Sequence, residues 1–384
     1  MKILITTDLY TVTTNGVVTS VKNLYDELLK NGHDVRILTL SDTRFSYKKE
    51  RIYYIRSMPF AVYPDVRMPL ALRHHRFVEE LIDWKPDIIH SQCEFFSFQF
   101  ASYIAKETNS PIVHTYHTLY EQYLSYILPS RRLGKRLLRT FSKRRLRKVS
   151  SIVAPTRKVE NALHDYGLMN DMVIVPSGIS LQQHKVRIPK YRLLNKRHSL
   201  GIRDDQVVLI NLGRLGTEKN LGELIEFFAK VLPEQPNLVL LIVGGGPAKE
   251  ELEKQAKQLG VSDAVIFTGM VPPEDVQNYY QLADVFVNAS TSETQGLTYV
   301  EAAANGLPLL CRKDLCFQDV LKTGENGFAY NDFEEFSESI KFIARHSEWR
   351  EKAAEVSREI AVSFDKTKFG LAIEKVYQAV IDRK

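Results

Sequence analysis

Short runs of β-branched and aliphatic residues alternate along the chain with longer stretches in which apolar positions recur every three or four residues. The first pattern is that of a buried strand, the second that of a helix with one face on a core. Lys2–Asp8 reads as a strand, followed by a loop carrying Gly16 and a helix whose apolar positions include Val17, Val21, Leu24, Leu28 and Leu29. Gly32 closes that helix, and Asp34–Leu40 supplies the next strand. Further strands are expected at Asp87–Gln92, Pro111–His117, Ser151–Thr156 and Met172–Gly178, with helical stretches between most of them. Such alternation predicts βαβ units and a doubly wound parallel sheet. Residues 179–204 are more polar and show no clear strand, so they are expected to connect into a second domain. The alternation then restarts with strands at Val207–Gly213, Asn237–Gly246, Ala264–Met270 and Val285–Ser290, helices from about Asn220 and Pro273, and a helical closing region. The expected domains are therefore 1–178 and 205–364, with 365–384 as a last helix.

Composition adds limits. With 384 residues, 44% apolar and 26% charged, the chain can bury two ordinary cores, which excludes disorder. Its three cysteines make neither a disulfide framework nor a metal-ligand pattern and fit a reducing compartment. The amino terminus meets Asp8 too early for a signal peptide, and no run of eighteen apolar residues occurs, so no spanning segment is expected.

Positive charge is concentrated in one segment. From Arg131 to Ser150 there are ten basic residues and no acid: Arg131, Arg132, Lys135, Arg136, Arg139, Lys143, Arg144, Arg145, Arg147 and Lys148. Since the whole chain is only +6, the remainder is near −4. Leu133, Leu137, Leu138, Phe141, Leu146 and Val149 fall roughly on one helical face. The favoured reading is a helix lying in the headgroup layer of an anionic membrane; the other is a solvated basic helix docked by its leucines. Nucleic acid is set aside as a partner, because Phe141 is the segment's single aromatic residue and no reader motif accompanies it.

Candidate chemistry centres on Val285–Glu301, a strand, a polar loop and a helix start. Glu293 sits in the loop, and Glu301 follows eight residues later in the first turn or so of the helix. Ligands of open α/β sheets bind beyond the carboxyl ends of strands, where a helix start favours a phosphate. The alternative is a solvated loop charge and a helix-start acid. Arg214 and Lys219 follow another strand and suit a pyrophosphate, or are surface residues beside Glu218. Gly16 would let backbone approach a phosphate, Met270 and Val271 offer backbone to a planar base, and His117 falls just past a strand. His114 and His117 lack a carboxylate or cysteine nearby in sequence, so no metal site is read there.

Taken jointly, TTNGVVTSV, HTYHTLYEQY, VPSGI, GRLGTEKN, VGGGP, FTGMV and the spacing of Glu293 and Glu301 resemble the family-4 retaining glycosyltransferases. The resemblance covers essentially the whole chain, and the wording of TSETQGLTYVE and HTYHTLYE is similar to that of bacterial diacylglycerol glucosyltransferases. It implies the GT-B architecture, two Rossmann-like doubly wound α/β domains facing across a cleft, with the last helix crossing back to the first domain. It implies that Gly16 approaches the donor phosphates, His117 lies beside the reacting sugar, and Arg214 and Lys219 hold the pyrophosphate. Glu293 would contact sugar hydroxyls and Glu301 the ribose, while amides of Thr294, Gln295, Gly296, Leu297 and Thr298 cover sugar and phosphate. The expected reaction is transfer of glucose from UDP-glucose to diacylglycerol, with retention, by a cytoplasmic protein on the inner face of the cell membrane. A second hexose added to a monoglycosyl-diacylglycerol, another acceptor, and a UDP-sugar epimerase on the same scaffold are the alternatives. No aspartate pair at i, i+2 spacing occurs, so no cofactor or metal is expected. GTEKN, where many relatives have a glycine after the lysine, and the first loop depart from the family pattern and leave acceptor choice most open.

Overall fold

The structure, a computed structural model, describes residues 1–10, 15–60, 63–70, 75–121 and 131–383, with backbone only at 60, 63–66 and 131. The chain divides into two compact units, Met1–Gly178 with Lys366–Lys384, and Ile179–Asp365.

The first unit runs β1 (Lys2–Thr6), α1 (Gly16–Lys30), β2 (Asp34–Ser41), β3 (Tyr47–Lys49), β4 (Ile52–Phe60), β5 (Tyr63–Pro69), α2 (Arg76–Trp84), β6 (Ile88–Ser91) and α3 (Phe96–Thr108). It continues with β7 (Ile112–Thr115), α4 (Arg131–Leu146), β8 (Ser151–Ala154), α5 (Arg157–Asp165) and β9 (Met172–Ile174). The second holds α6 (Leu181–Lys185), α7 (Lys190–Ser199), β10 (Val207–Leu212), α8 (Leu221–Val231), β11 (Leu238–Val243), α9 (Lys249–Gln258), β12 (Val265–Gly269) and α10 (Val276–Leu282). After these come β13 (Val285–Asn288), α11 (Leu297–Ala304), β14 (Leu309–Arg312), β15 (Gly327–Tyr330), α12 (Phe333–Arg345) and α13 (Ser347–Ala361); α14 (Lys366–Asp382) returns to the first unit.

In the first unit the described sheet has the order β3-β4-β2-β1-β6-β7-β8-β9, with β5 on β4. The expected strands are present, most of them shorter, while β2 runs one residue further, to Ser41. Asp8 leaves the β1 ladder so that its carboxylate can accept the Ser97 N–H at 2.6 Å, capping α3 from a distant segment. β7 stops at Thr115, which puts His117 in the following loop. β3 and β5 are antiparallel additions that interrupt the expected alternation. They form because β4 alternates, with Tyr53 and Ile55 in the core and Tyr54 stacked on Tyr47 at 4.3 Å. α14 places Phe369, Ile373, Val376, Tyr377 and Val380 in one cluster with Ile3, Ile5 and Val21.

The second sheet is parallel throughout, in the order β12-β11-β10-β13-β14-β15. Both faces are covered, which is why Leu238–Val243 is an unbroken apolar run, buried at every position. Residues 179–204, expected as a connection, belong to this unit and carry two helices. Their polarity misleads because α7 buries no residue, being tied instead by Arg197, which donates to Leu282 O at 2.8 Å and pairs with Asp284 at 2.7 Å. Among the described residues no helix is long and apolar enough to cross a membrane.

Candidate active site

In the second sheet, β11 lies on one side of β10 and β13 on the other, so the loops after β10 and β13 diverge. A crevice opens at such a switch point, beyond the carboxyl ends of the strands. Two loops carry the candidate residues there.

The loop after β10 is laced to its neighbour: Gly213 donates to Val243 O at 3.0 Å and Leu215 to Gly245 O at 2.9 Å. The approach is so close that a Cβ on Gly244 would stand 1.9 Å from Gly213 O, and φ there is +137°. Only glycine fits. Beyond it, Arg214 pairs with Glu218, a carboxylate whose side chain is 3% exposed. Lys219 turns the other way and its Nζ donates to Glu293 Oε1 at 2.6 Å.

Glu293 reaches that position because its loop is folded by its own side chains. Asn288 Oδ1 accepts the Ser290 N–H at 2.7 Å, and the Ser290 and Ser292 hydroxyls lie 3.0 Å apart. Gly296 then turns the chain with φ +70°, where a Cβ would meet the Tyr299 ring at 2.4 Å. Tyr299 is fully buried, 5.5 Å from both Phe286 and Phe317, and anchors α11. α11 starts at Leu297 with no side-chain cap. Gln295 is buried, while Thr294, Leu297 and Thr298 are half-buried around that helix start.

Glu301 lies in the second turn of α11 rather than the first, so a dipole-favoured terminal acid is not its description. Its carboxylate accepts the Tyr280 hydroxyl at 2.9 Å. Burial pushes its pKa up to about 7, against the pull of that hydrogen bond. Met270 is exposed with its side chain over Gly245, and Val271 rests half-buried against the core. The structure thus brings Lys219, Glu293 and the start of α11 together, and holds Arg214 on Glu218.

Gly16 and His117 belong to the first unit. Gly16 is the exposed first residue of α1, whose Asn15 cap accepts the Val18 N–H at 2.8 Å; residues 11–14 of the preceding loop lie outside the described residues. His117 Nε2 lies 2.7 Å from Gln92 Oε1, and burial with the nearby His114 pushes its pKa down to about 3. His114, read as lacking a carboxylate, has one: Glu94 Oε1 is 3.1 Å from its Nε2, and Glu94 also accepts the Tyr120 hydroxyl at 2.6 Å. The partner comes from the loop between β6 and α3, which sequence proximity does not reveal. Gln92 and Glu94 went unnoticed in the sequence, although both follow a strand end beside a switch point. Among the described residues no group of three or more His, Cys, Asp or Glu side chains is arranged to hold a metal ion.

The basic helix α4 divides its apolar residues between two faces instead of one. Leu138 and Leu146, with Val149 beyond the helix, enter the core, whereas Leu133 and Leu137 are 53% and 52% exposed. Arg132, Arg136, Arg139, Lys143, Arg144, Arg147 and Lys148 are exposed; the side chain of Arg131 lies outside the described residues. Lys135 pairs with Glu121 at 2.7 Å, and Arg145 turns inward over Phe141, 5.4 Å from its centroid. These two are therefore less available to a surface than the sequence suggests.

The family model for group 1 glycosyl transferases matches residues 194–360, and that for glycosyltransferase family 4 matches residues 14–183. An alpha-monoglucosyldiacylglycerol synthase of Streptococcus pneumoniae is 37% identical over 81% of this chain and 70% of its own length. One of Acholeplasma laidlawii is 31% identical over 100% of this chain and 98% of its own. The chain belongs to glycosyltransferase family 4. The fold of this glycosyltransferase matches that of Anabaena HepE, solved in complex with UDP and glucose, with a TM-score of 0.77 at 17% identity over 99% of this chain and 100% of that one. GT-B is thus its architecture, with two α/β units built on parallel sheets.

Proposed function

We propose that this glycosyltransferase moves glucose from UDP-glucose to diacylglycerol at a membrane surface, with retention, giving an α-glucosyl glycolipid. The observation that carries the reading is the Lys219–Glu293 pair beside the uncapped start of α11, at the switch point of the second sheet. A cation and free helix amides suit a diphosphate, and the adjoining carboxylate suits a polyhydroxylated ring. The names of the two synthases described above supply the glucose and the diacylglycerol.

The costly event is cleavage of the bond between sugar C1 and the β-phosphate oxygen, which leaves negative charge on that phosphate. Fixed donors aimed at developing charge contribute most of such a rate. Lys219, Arg214 and the α11 amides take that role, and the reading needs no divalent ion. Retention brings the acceptor oxygen to the face from which UDP departs, so the acceptor proton passes to the leaving phosphate oxygen. Glu293 holds sugar hydroxyls, Glu301 the ribose, and the chain at Met270 and Val271 the base. The phosphate role of Gly16 and the sugar role of His117 rest on the family resemblance alone. The outward cations of α4, with Leu133 and Leu137, attach the protein to anionic lipid.

The test uses purified protein, labelled UDP-glucose or UDP-galactose, and vesicles with diacylglycerol or its monoglucoside, with and without chelator. α-Glucosyl-diacylglycerol by NMR, formed in chelator, supports the reading. A β-linked product, a chelator-sensitive rate, or sugar interconversion without lipid would each overturn a stated part of it.

A further inference from the structure

Between Leu181 and Arg203 the chain carries seven lysines and arginines and no acid. This run is as one-sided as α4 but belongs to the other unit. Four of the seven are engaged: Arg197 on Leu282 and Asp284, Lys196 4.8 Å over the Tyr279 ring, Arg203 on Asp205 at 3.1 Å, and Arg192, whose Nε donates to the neighbouring Tyr191 hydroxyl at 3.2 Å. Lys185, Arg187, Lys190 and Arg192 are exposed, and among the described residues none of the four pairs with an acid. Val186 and Tyr191 stand between them, 64% and 59% exposed.

This surface is held in shape. Val186 O accepts Gln281 Nε2 at 2.7 Å and the Ile188 N–H donates to Gln281 Oε1 at 2.9 Å, so α10 fixes the turn before α7. Yet its local electrostatics are unfavourable. Lys190 and Arg192 stand in the first turn of α7, against the helix dipole, and Arg192 and Lys196 are like charges at i, i+4. Burial, and after it the charge of Arg187, holds the Arg358 guanidinium below its usual range. A solvated surface helix relieves such strain with interspersed acids; this one has none. Negative charge brought from outside would offset these repulsions.

We propose that the surface from Lys185 to Arg192, on the second unit, is a contact for an anionic lipid bilayer. The exposed valine and tyrosine separate a lipid surface from other polyanions, since apolar and aromatic side chains flanked by basic ones settle at a headgroup boundary. The inference rests on the membrane reading given above for α4 and extends it: each unit has an attachment of its own.

The test places a reporter in the full chain by Tyr191→Trp, an exposed position, and compares its emission with that of the unsubstituted protein. Brominated phosphatidylglycerol vesicles are expected to blue-shift and quench the added tryptophan, as for a side chain about 5–10 Å into the headgroup boundary, and phosphatidylcholine vesicles are not. Replacing Lys185, Arg187, Lys190 and Arg192 together with Gln, in a protein of unchanged melting temperature, should lower partition to the anionic vesicles by ~100-fold or more. Sedimentation with anionic vesicles while the reporter stays unshifted would refute this inference and leave that for α4 standing. Failure to sediment at all would refute both. A shift with a DNA duplex and none with vesicles would replace the bilayer with a nucleic acid.

Discussion

Replacing Lys219 with alanine separates the energetics of folding from those of transfer. In the resting protein Lys219 Nζ lies 2.6 Å from Glu293 Oε1, with side chains 23% and 16% exposed. A pair so near solvent contributes at most about 1 kcal/mol to stability, so the melting temperature of a unit of this size should fall by only about 2–4 °C. The same ammonium, facing a phosphate that gains charge as the C1–O bond breaks, resembles a fixed oxyanion donor. Loss of such a donor costs about 2.7–4 kcal/mol, or ~10²–10³ in turnover. Steady-state transfer from labelled UDP-glucose to diacylglycerol vesicles, with thermal melts on the same samples, reads both quantities. Glu293→Gln completes the cycle: if Glu293 also holds the sugar, the double variant should lose less than the sum of the single losses. Turnover within ~3-fold of the original in a well-folded Lys219→Ala protein would refute the phosphate role, since the donor losses in question are at least ~10²-fold.

Other consequences follow from pKa shifts and backbone geometry. Glu301, raised from 4.5 to about 7, holds a proton in the folded state that the unfolded chain releases. Its contribution therefore declines as pH rises from about 4.5 to 7, by up to ~3 kcal/mol. Denaturant titrations should show that loss reduced in Glu301→Gln, and the donor KM of the original protein should fall above pH 7, as the carboxylate becomes an acceptor for ribose hydroxyls, while the variant's does not. His117, lowered to about 3, stays neutral when folded although the unfolded imidazole takes a proton below about 6.5. Stability should fall as pH drops from 7.5 to 5, by ~2 kcal/mol, and urea titrations of His117→Gln should lack that component. Gly296→Ala forces a Cβ to 2.4 Å from the Tyr299 ring at φ +70°, so α11 must shift. A stability loss of about 2–4 kcal/mol is expected by denaturant titration, together with a drop in turnover.

Local pattern was sufficient where local physics decides the structure. Leu238–Val243 reads as a strand because both faces of a parallel sheet are covered, and α1 reads as a helix because Val21, Leu24 and Leu28 recur on one face. It failed where a distant partner decides. α7 has no buried face and is tied to Asp284 and Tyr279 across more than eighty residues, so it passed for a connection. Leu138 and Leu137 are adjacent in sequence, yet one enters the core and the other faces outward, a division set by what α4 packs against. In the candidate site, Lys219 and Glu293 each stood out by position, but their pairing across 74 residues follows from the strand order. That Glu218 holds Arg214, and that Glu94 supports His114, required the fold.

Most of what is proposed for this enzyme depends on a nucleotide-sugar diphosphate sitting on Lys219 and the start of α11. A crystal structure of the full chain with UDP-glucose tests it most directly. Phosphate oxygens are expected about 3 Å from Lys219 Nζ and from the first α11 amides, with the ribose on Glu301. A nucleotide bound away from the carboxyl ends of β10 and β13, with the Lys219–Glu293 pair untouched, would contradict it.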